Sequence, residues 1–263
     1  SPDLCRCIGK LTHHLYQGRR LSTEIPNLSV VVLAYRSADT ISTFVDSLIS
    51  CLEANEPYWE LILVGNYMDN SGDRTPEVVK GLAKQDARIH AVTEVKKGMM
   101  GWDMKSGLSA ASGKVLAVID GDGQMPAEDV IRVYKKLQAD NLDLAKTYRV
   151  KRDDGSYRRV ISTVYNALFQ FLFPGLNSRD INSKPKVMTR DAYASMDLQS
   201  DGWFIDAEIM IQSRGLRLKT GEIETVFHSI DSRPSFVKPL SILEFLANLV
   251  WYRVLEFFRS YKK

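Results

Sequence analysis

Asp120-Gly121-Asp122-Gly123-Gln124 is the segment of this chain best equipped for chemistry. It follows the apolar run VLAVI at 115–119, so its two carboxylates emerge from the end of a buried strand. Carboxylates at i and i+2 repel each other unless positive charge sits beside them. A hard divalent cation, which takes oxygen ligands and keeps positions for substrate phosphates, answers that need. Gln124 adds a neutral oxygen at the next alternate position, and Gly121 and Gly123 leave room for a diphosphate to approach the backbone. The alternative is an acidic turn capping a helix that starts at Pro126, with glycine for turn geometry.

The elements that must position this group alternate regularly. Residues 28–34 (LSVVVLA) are apolar on both faces, as a buried parallel strand is. Residues 38–52 carry Ile41, Phe44, Val45, Leu48, Ile49 and Leu52 at helical spacing. A second strand follows at 61–64, and Thr75-Pro76-Glu77 opens a helix with a cap residue, a first-turn proline and an early acid. The third strand is read at 89–95, with a glycine-containing turn and a helix to about Ser112 after it; the fourth is 115–119, and Pro126, Glu128 and Asp129 start another helix. This alternation predicts an α/β, doubly wound, mostly parallel sheet with flanking helices. In the second half, 143–150 and 222–227 read as strands and 160–173, 207–213 and 240–261 as helices, without internal repeats.

In an open parallel sheet ligands bind outside the carboxyl ends of the strands. The segments there are Tyr35-Arg36-Ser37, Gly65 to Asp73, Lys96-Lys97-Gly98 and Asp120 to Gln124, so polar and acidic groups converge on one edge. The whole chain fits one large domain or two small ones, at 263 residues. Lys+Arg 35 against Asp+Glu 32 is too balanced to argue for a nucleic-acid partner. Cys5, Cys7 and Cys51 cannot all pair, which points to a reducing, cytoplasmic compartment. Cys5-x-Cys7 near His13 and His14 matches no zinc spacing. No apolar core marks a signal peptide, and no segment reaches the roughly 20 uninterrupted apolar residues of a spanning helix.

These segments together resemble the family 2 glycosyltransferases of GT-A fold, in particular the polyprenyl-phosphate (dolichyl-phosphate) sugar transferases. The resemblance covers about residues 28–239. It rests on Ser29 to Tyr35 for the first strand and its nucleotide-contacting end, where Leu33 or Ala34 replaces the usual proline and Arg36 the usual asparagine. It rests further on Asp69-Asn70-Ser71-Gly72-Asp73-Arg74-Thr75 for the D-G-S-x-D-x-T element, and on the Gly107 to Gly113 helix segment. The last element is Asp120 to Gln124, for D-x-D-x-Q. One departure stands out. The family's paired Asp after the second strand is interrupted by Gly65-Asn66-Tyr67-Met68, so Asn66 or Asp69 takes the nucleobase-reading role, with UDP and GDP both open.

The resemblance implies a metal-dependent inverting transfer from a nucleotide-diphosphate sugar to a polyprenyl-phosphate or saccharide acceptor. Asp120 would face the ribose or the metal, while Asp122 and Gln124 hold Mg²⁺ or Mn²⁺; Leu33, Ala34, Tyr35, Gly121 and Lys97 would line the donor. Arg149 and Arg152, just beyond the fifth strand and ahead of Arg158 and Arg159 at the start of the next helix, are expected at phosphates, with a solvated basic loop at Lys151-Arg152-Asp153-Asp154 as the alternative. Asp206, in Trp203-Phe204-Ile205-Asp206-Ala207-Glu208, is the candidate general base, or only a positioning group if the acceptor is a phosphate. Asp180 to Lys186 resembles a segment near the acceptor, and His228 with Arg233-Pro234-Ser235 a loop that closes over the donor.

The domain reading is an extension at 1–25, a glycosyltransferase domain at 26–239 and an amphipathic helix at 240–263. That tail suits a membrane interface, which would make the protein peripheral on the cytoplasmic face; a core or homodimer helix is the equal alternative. Two rivals share the layout. A nucleotidyltransferase needs a Gly-rich, Lys-containing loop after the first strand, which Tyr35-Arg36-Ser37 lacks; a catalytically silent binding module is left open by the interrupted Asp pair. A dinucleotide dehydrogenase is disfavoured because no G-x-G-x-x-G follows the first strand.

Overall fold

The structure is a computed structural model that describes residues 24–152, 156–176, 178–227 and 240–258. Cys5, Cys7, His13, His14, His228 and Arg233 to Ser235 lie outside them. The elements run β1 (Leu28–Leu33), α1 (Ile41–Asn55), β2 (Trp59–Val64), α2 (Thr75–Ala83), β3 (Ile89–Val92), α3 (Met100–Ala110), β4 (Val115–Asp120) and α4 (Glu128–Ala139). There follow β5 (Leu144–Arg152), α5 (Ser156–Leu172), β6 (Lys186–Thr189), α6 (Arg190–Ser195), α7 (Ile205–Gly215), β7 (Thr220–Phe227) and α8 (Leu240–Phe258).

The strands form one seven-stranded sheet in the order β3-β2-β1-β4-β6-β5-β7. β1 pairs in parallel with β2 and β4, β2 with β3, and β5 with β7; β6 runs antiparallel to both β4 and β5. The mostly parallel, doubly wound sheet expected from the alternation is therefore present. β6 and α6 are two elements beyond those expected from the sequence pattern. Lys186-Val187-Met188-Thr189 is short and opens on a lysine, so it shows no apolar run. The third strand ends at Val92, with Val95 forming only an isolated bridge to Tyr67.

Side chains of successive strand residues point to opposite faces, and here both faces are covered. Val30, Val32, Leu61, Leu63, Ala117 and Ile119 pack with α1 and α4 through Ile41, Val45, Leu48, Val130 and Val133. Val31, Ile62, Val64, Leu116 and Val118 pack on the other face with Met104, Leu108, Phe169, Ile205 and Ile209. α8 closes this second layer: Leu249 is buried, Phe245 meets Tyr165 edge-on at 5.7 Å, and Tyr252 lies 5.0 Å from Phe204. Its opposite side, with Leu246, Val250, Trp251 and Val254, is exposed and apolar. So the tail is a core helix on one face and bare on the other.

Candidate functional site

β4 lies in the middle of the sheet and delivers Asp120 to its carboxyl edge, in register with Leu33 at the end of β1. The backbone crosses there: the Gly121 N–H donates to the Leu33 carbonyl at 2.8 Å. A Cβ on Gly121 would stand 2.8 Å from both Ile41 Cδ1 and Val32 Cγ1, so this glycine is required by packing of the strand end under α1. Gly121 thus has a packing reason of its own, apart from the diphosphate approach expected of it. Gly123, at φ +76° with open space around its Cα, is the residue that leaves the backbone accessible. Asp122 Oδ1 accepts the Gln124 N–H at 3.0 Å, and the Asp120 side chain is about a third exposed.

The oxygen-only set Asp120, Asp122 and Gln124 fits a hard divalent cation that keeps positions for phosphate oxygens or water. Among the described residues no three His, Cys, Asp or Glu side chains gather to hold an ion without such help.

Beside this lip, Leu33 and Ala34 are buried in the two cores, and the Ala34 N–H is taken by the Val64 carbonyl at 2.9 Å. Their side chains are turned into those cores, and Tyr35 is the residue of this group that emerges. Its ring lies under Lys96 Nζ at 4.2 Å and beside the Arg36 guanidinium at 5.5 Å. The Asp69 to Thr75 element works partly as a strap. Asp73 accepts the Arg36 N–H at 3.2 Å and the Thr75 hydroxyl at 2.6 Å, and Thr75 in turn accepts the Ser37 N–H at 2.9 Å, locking the exits of β1 and β2 together.

Asn66 is corrected as a base reader. It is buried, and its amide donates to Asp103 at 3.0 Å and to Ser106 at 3.1 Å while its oxygen accepts the Glu94 N–H at 2.8 Å. Asp69 is exposed at the same edge. Lys97 is exposed, whereas its neighbour Lys96 is buried in an ion pair with Asp103.

On the far side of the lip lies a buried charge network that the sequence reading had not assembled. Lys146, Lys186 and Glu222 stand opposite one another across β6, β5 and β7. Lys146 pairs with Glu222 at 2.8 Å, and Lys186 with Asp206 Oδ1 at 2.6 Å. Facing lysines repel, so these carboxylates are needed to hold the row. Lys186 also donates to the carbonyls of Ile181 and Ser183, both at 2.9 Å. Burial, the offsetting Asp206 and the lysines beside it leave its ammonium pushed down to about 8.

Asp206, at the first turn of α7, is 1% exposed, and its second oxygen faces Lys184 Nζ at 3.2 Å. Burial alone would raise its carboxyl, but the ammoniums of Lys184 and Lys186 outweigh that and hold it below the ordinary carboxylate range. A carboxylate spent on two buried ammoniums is not poised to take a substrate proton. Of the two roles expected for Asp206, general base or positioning group, this ion pairing favours the second. Lys184 completes the link, its Nζ 3.2 Å from Asp120 Oδ2.

Arg149 grips Asp180 through two bonds, at 2.6 and 2.9 Å, and its guanidinium stands 5.5 Å from the Phe227 ring. Arg152 ends β5 opposite Phe227. Glu208 accepts the N–H groups of Gln199 at 2.9 Å and Ser200 at 2.8 Å and the Tyr252 hydroxyl at 2.7 Å, fixing the loop before α7. That loop caps α3, since the Met99 N–H donates to Asp201 O at 2.8 Å and the Gly101 N–H to Gly202 O at 2.9 Å.

Residues 29–196 match the model of glycosyl transferase family 2. The undecaprenyl-phosphate 4-deoxy-4-formamido-L-arabinose transferase of Pectobacterium carotovorum subsp. carotovorum is 28% identical over 150 residues, covering 56% of this chain and 44% of that protein. A dolichyl-phosphate β-glucosyltransferase of Trichomonas vaginalis is 25% identical over 221 residues, covering 78% of this chain and 66% of that protein. The chain thus spans about half to two thirds of the length of these curated relatives. In fold it is similar to glucosyl-3-phosphoglycerate synthase from Mycobacterium tuberculosis, solved with Mn²⁺, UDP and glucosyl-3-phosphoglycerate. The TM-score is 0.65 at 20% identity, covering 88% of this chain and 79% of that one.

Proposed function

The chain belongs to glycosyl transferase family 2, and from that premise we propose that it transfers a sugar from a nucleoside-diphosphate donor, UDP- or GDP-linked, to a polyprenyl phosphate. The observation that carries this is the oxygen-lined lip of Asp120, Asp122 and Gln124 at the carboxyl edge of β4, with Tyr35 emerging beside it from β1. Bound there, Mg²⁺ or Mn²⁺ would offset the charge that develops on the departing nucleoside diphosphate. Half-buried Tyr35 and exposed Asp69 and Lys97 stand at the same edge for base and phosphate contacts. Gly123 keeps the backbone open to the donor.

The state of Asp206 favours the phosphate over the saccharide acceptor. A hydroxyl nucleophile needs a base, whereas a phosphate oxygen arrives anionic and attacks with inversion unaided. The relatives named for undecaprenyl and dolichyl phosphate support the same choice. Arg149 and Arg152, on the strand next to this network, are the groups proposed to receive the acceptor phosphate.

The test is donor hydrolysis in the absence of acceptor. Slow release of UDP or GDP from one nucleotide sugar, dependent on Mn²⁺ or Mg²⁺, is expected, with Asp122→Asn reducing it at least 100-fold, on the order of a lost transition-state contact. Nucleotide release unchanged by chelation and by that substitution would overturn the proposal.

A further inference from the structure

Lys184 stands between the buried network and the acidic lip. It comes from the segment leading into β6, is 4% exposed, and directs Nζ at three atoms, each 3.2 Å away: Asp120 Oδ2, Asp206 Oδ2 and the Met100 sulfur. Asp206 is itself anchored, because Lys186 holds its other oxygen at 2.6 Å. The ammonium is therefore fixed from behind and presented to one of the two carboxylates that the lip offers.

Taken together, Asp120, Asp122 and Asp206 carry three negative charges, and Lys184 and Lys186 return two. One net negative charge is left to receive a divalent cation, and Asp120 would be shared between that cation and an ammonium already in contact with it. The diphosphate of a donor carries the charge that Lys184 has cancelled, and supplies the oxygens missing from the protein's own donor set.

We infer that Lys184 couples metal binding to nucleotide binding: it weakens the lip's hold on a divalent cation alone and leaves a tight site only when a nucleoside diphosphate is present. This rests on the donor-site reading above. It makes Lys184 a positioning residue that acts through Asp120, and makes Asp206 the anchor of that ammonium.

The test measures free Mn²⁺ by electron paramagnetic resonance, titrating the full chain alone, with UDP and with GDP. Wild type should bind Mn²⁺ weakly alone and more tightly with one of the nucleotides. Lys184→Met should bind Mn²⁺ alone about tenfold more tightly, with the nucleotide's enhancement reduced by a similar factor, since coupling is reciprocal. Lys184→Arg keeps the charge and should behave as wild type. If Lys184→Met does not fold, Lys184→Gln, which removes the charge but keeps a polar group toward Asp120 and Asp206, carries the same expectation. Folded variants with unchanged Mn²⁺ affinity and unchanged enhancement would overturn the inference while leaving the donor site standing, as would wild type that binds nucleotide equally with and without Mn²⁺. Wild type that binds neither nucleotide in the presence of Mn²⁺ would defeat the donor reading and this inference together.

Discussion

At the scale of the residue, Asp206 holds more of the site together than its one position suggests. It receives Lys186 on one oxygen and Lys184 on the other, both in the interior, so its removal leaves buried ammoniums short of charge. Asp206→Asn should cost about 3–5 kcal/mol of stability, the usual penalty for breaking a buried pair; urea unfolding measures this, and a loss below about 1 kcal/mol would contradict the network. Lys186 adds a pH signature. In the folded chain its proton leaves near 8, below the ordinary lysine value, while in the unfolded chain it stays until about 10.4. The unfolded chain binds more protons across that window, so this residue's contribution to stability rises with pH through it. Denaturant midpoints at pH 7.5 and 10 should show that rise in wild type and its loss in Lys186→Met; equal slopes would refute it. The Asp120, Asp122 and Gln124 triplet was legible in the sequence because its acids follow an apolar run. Asn66, Leu33, Ala34 and Asp206 have suitable side chains in suitable places along the chain, but only packing tells that they point inward or are already spent.

At the scale of the element, the edge that carries the site is built from crossings too tight for side chains. Gly101 starts α3 under the loop before α7, where a Cβ would come 2.3 Å from the Ser200 carbonyl and 2.8 Å from that of Gly202. Backbone cannot yield as a flexible side chain does. Gly101→Ala should therefore displace this loop and cost about 1–3 kcal/mol, with faster hydrogen exchange at Gln199 and Ser200, the amides that Glu208 holds. Protection and stability equal to wild type would show that the loop is not pinned this way. The strands and helices of the first half were readable because β1, β2 and β4 are short buried apolar runs and α1 and α4 each show one apolar stripe. β6 was not readable. Its lysine is offset by the carboxylate of Asp206, which arrives on a later helix, and local pattern carries no trace of that pairing.

At the scale of the whole molecule, α5 and α8 finish the second core layer, and each leaves large apolar side chains exposed. Val164, Phe171, Leu246, Val250, Trp251 and Val254 are all exposed. Among the described residues no helix is long and apolar enough to cross a membrane. A polyprenyl-phosphate acceptor brings its headgroup to a bilayer surface, and the proposed occupant of this face is that interface, with Trp251 near the headgroups. Val250→Glu with Trp251→Glu changes only the outer side of α8 and spares Leu249, so the fold should survive. Co-sedimentation with anionic liposomes is expected for wild type and strongly reduced in the variant. Equal sedimentation would remove the membrane, and a concentration-dependent dimer lost in the same variant would assign the face to a second copy. The amphipathic tail was visible in the sequence, but its division into a core side and a bare side depends on which turn of α8 meets Phe204 and Tyr165. Crystals grown with Mn²⁺ and UDP or GDP, with anomalous scattering recorded at the manganese edge, decide whether a metal at this edge carries the donor. The predicted result is one strong peak within bonding distance of Asp122 and Gln124 that also touches diphosphate oxygens; nucleotide bound elsewhere, or at that edge with no manganese beside Asp122, would contradict it.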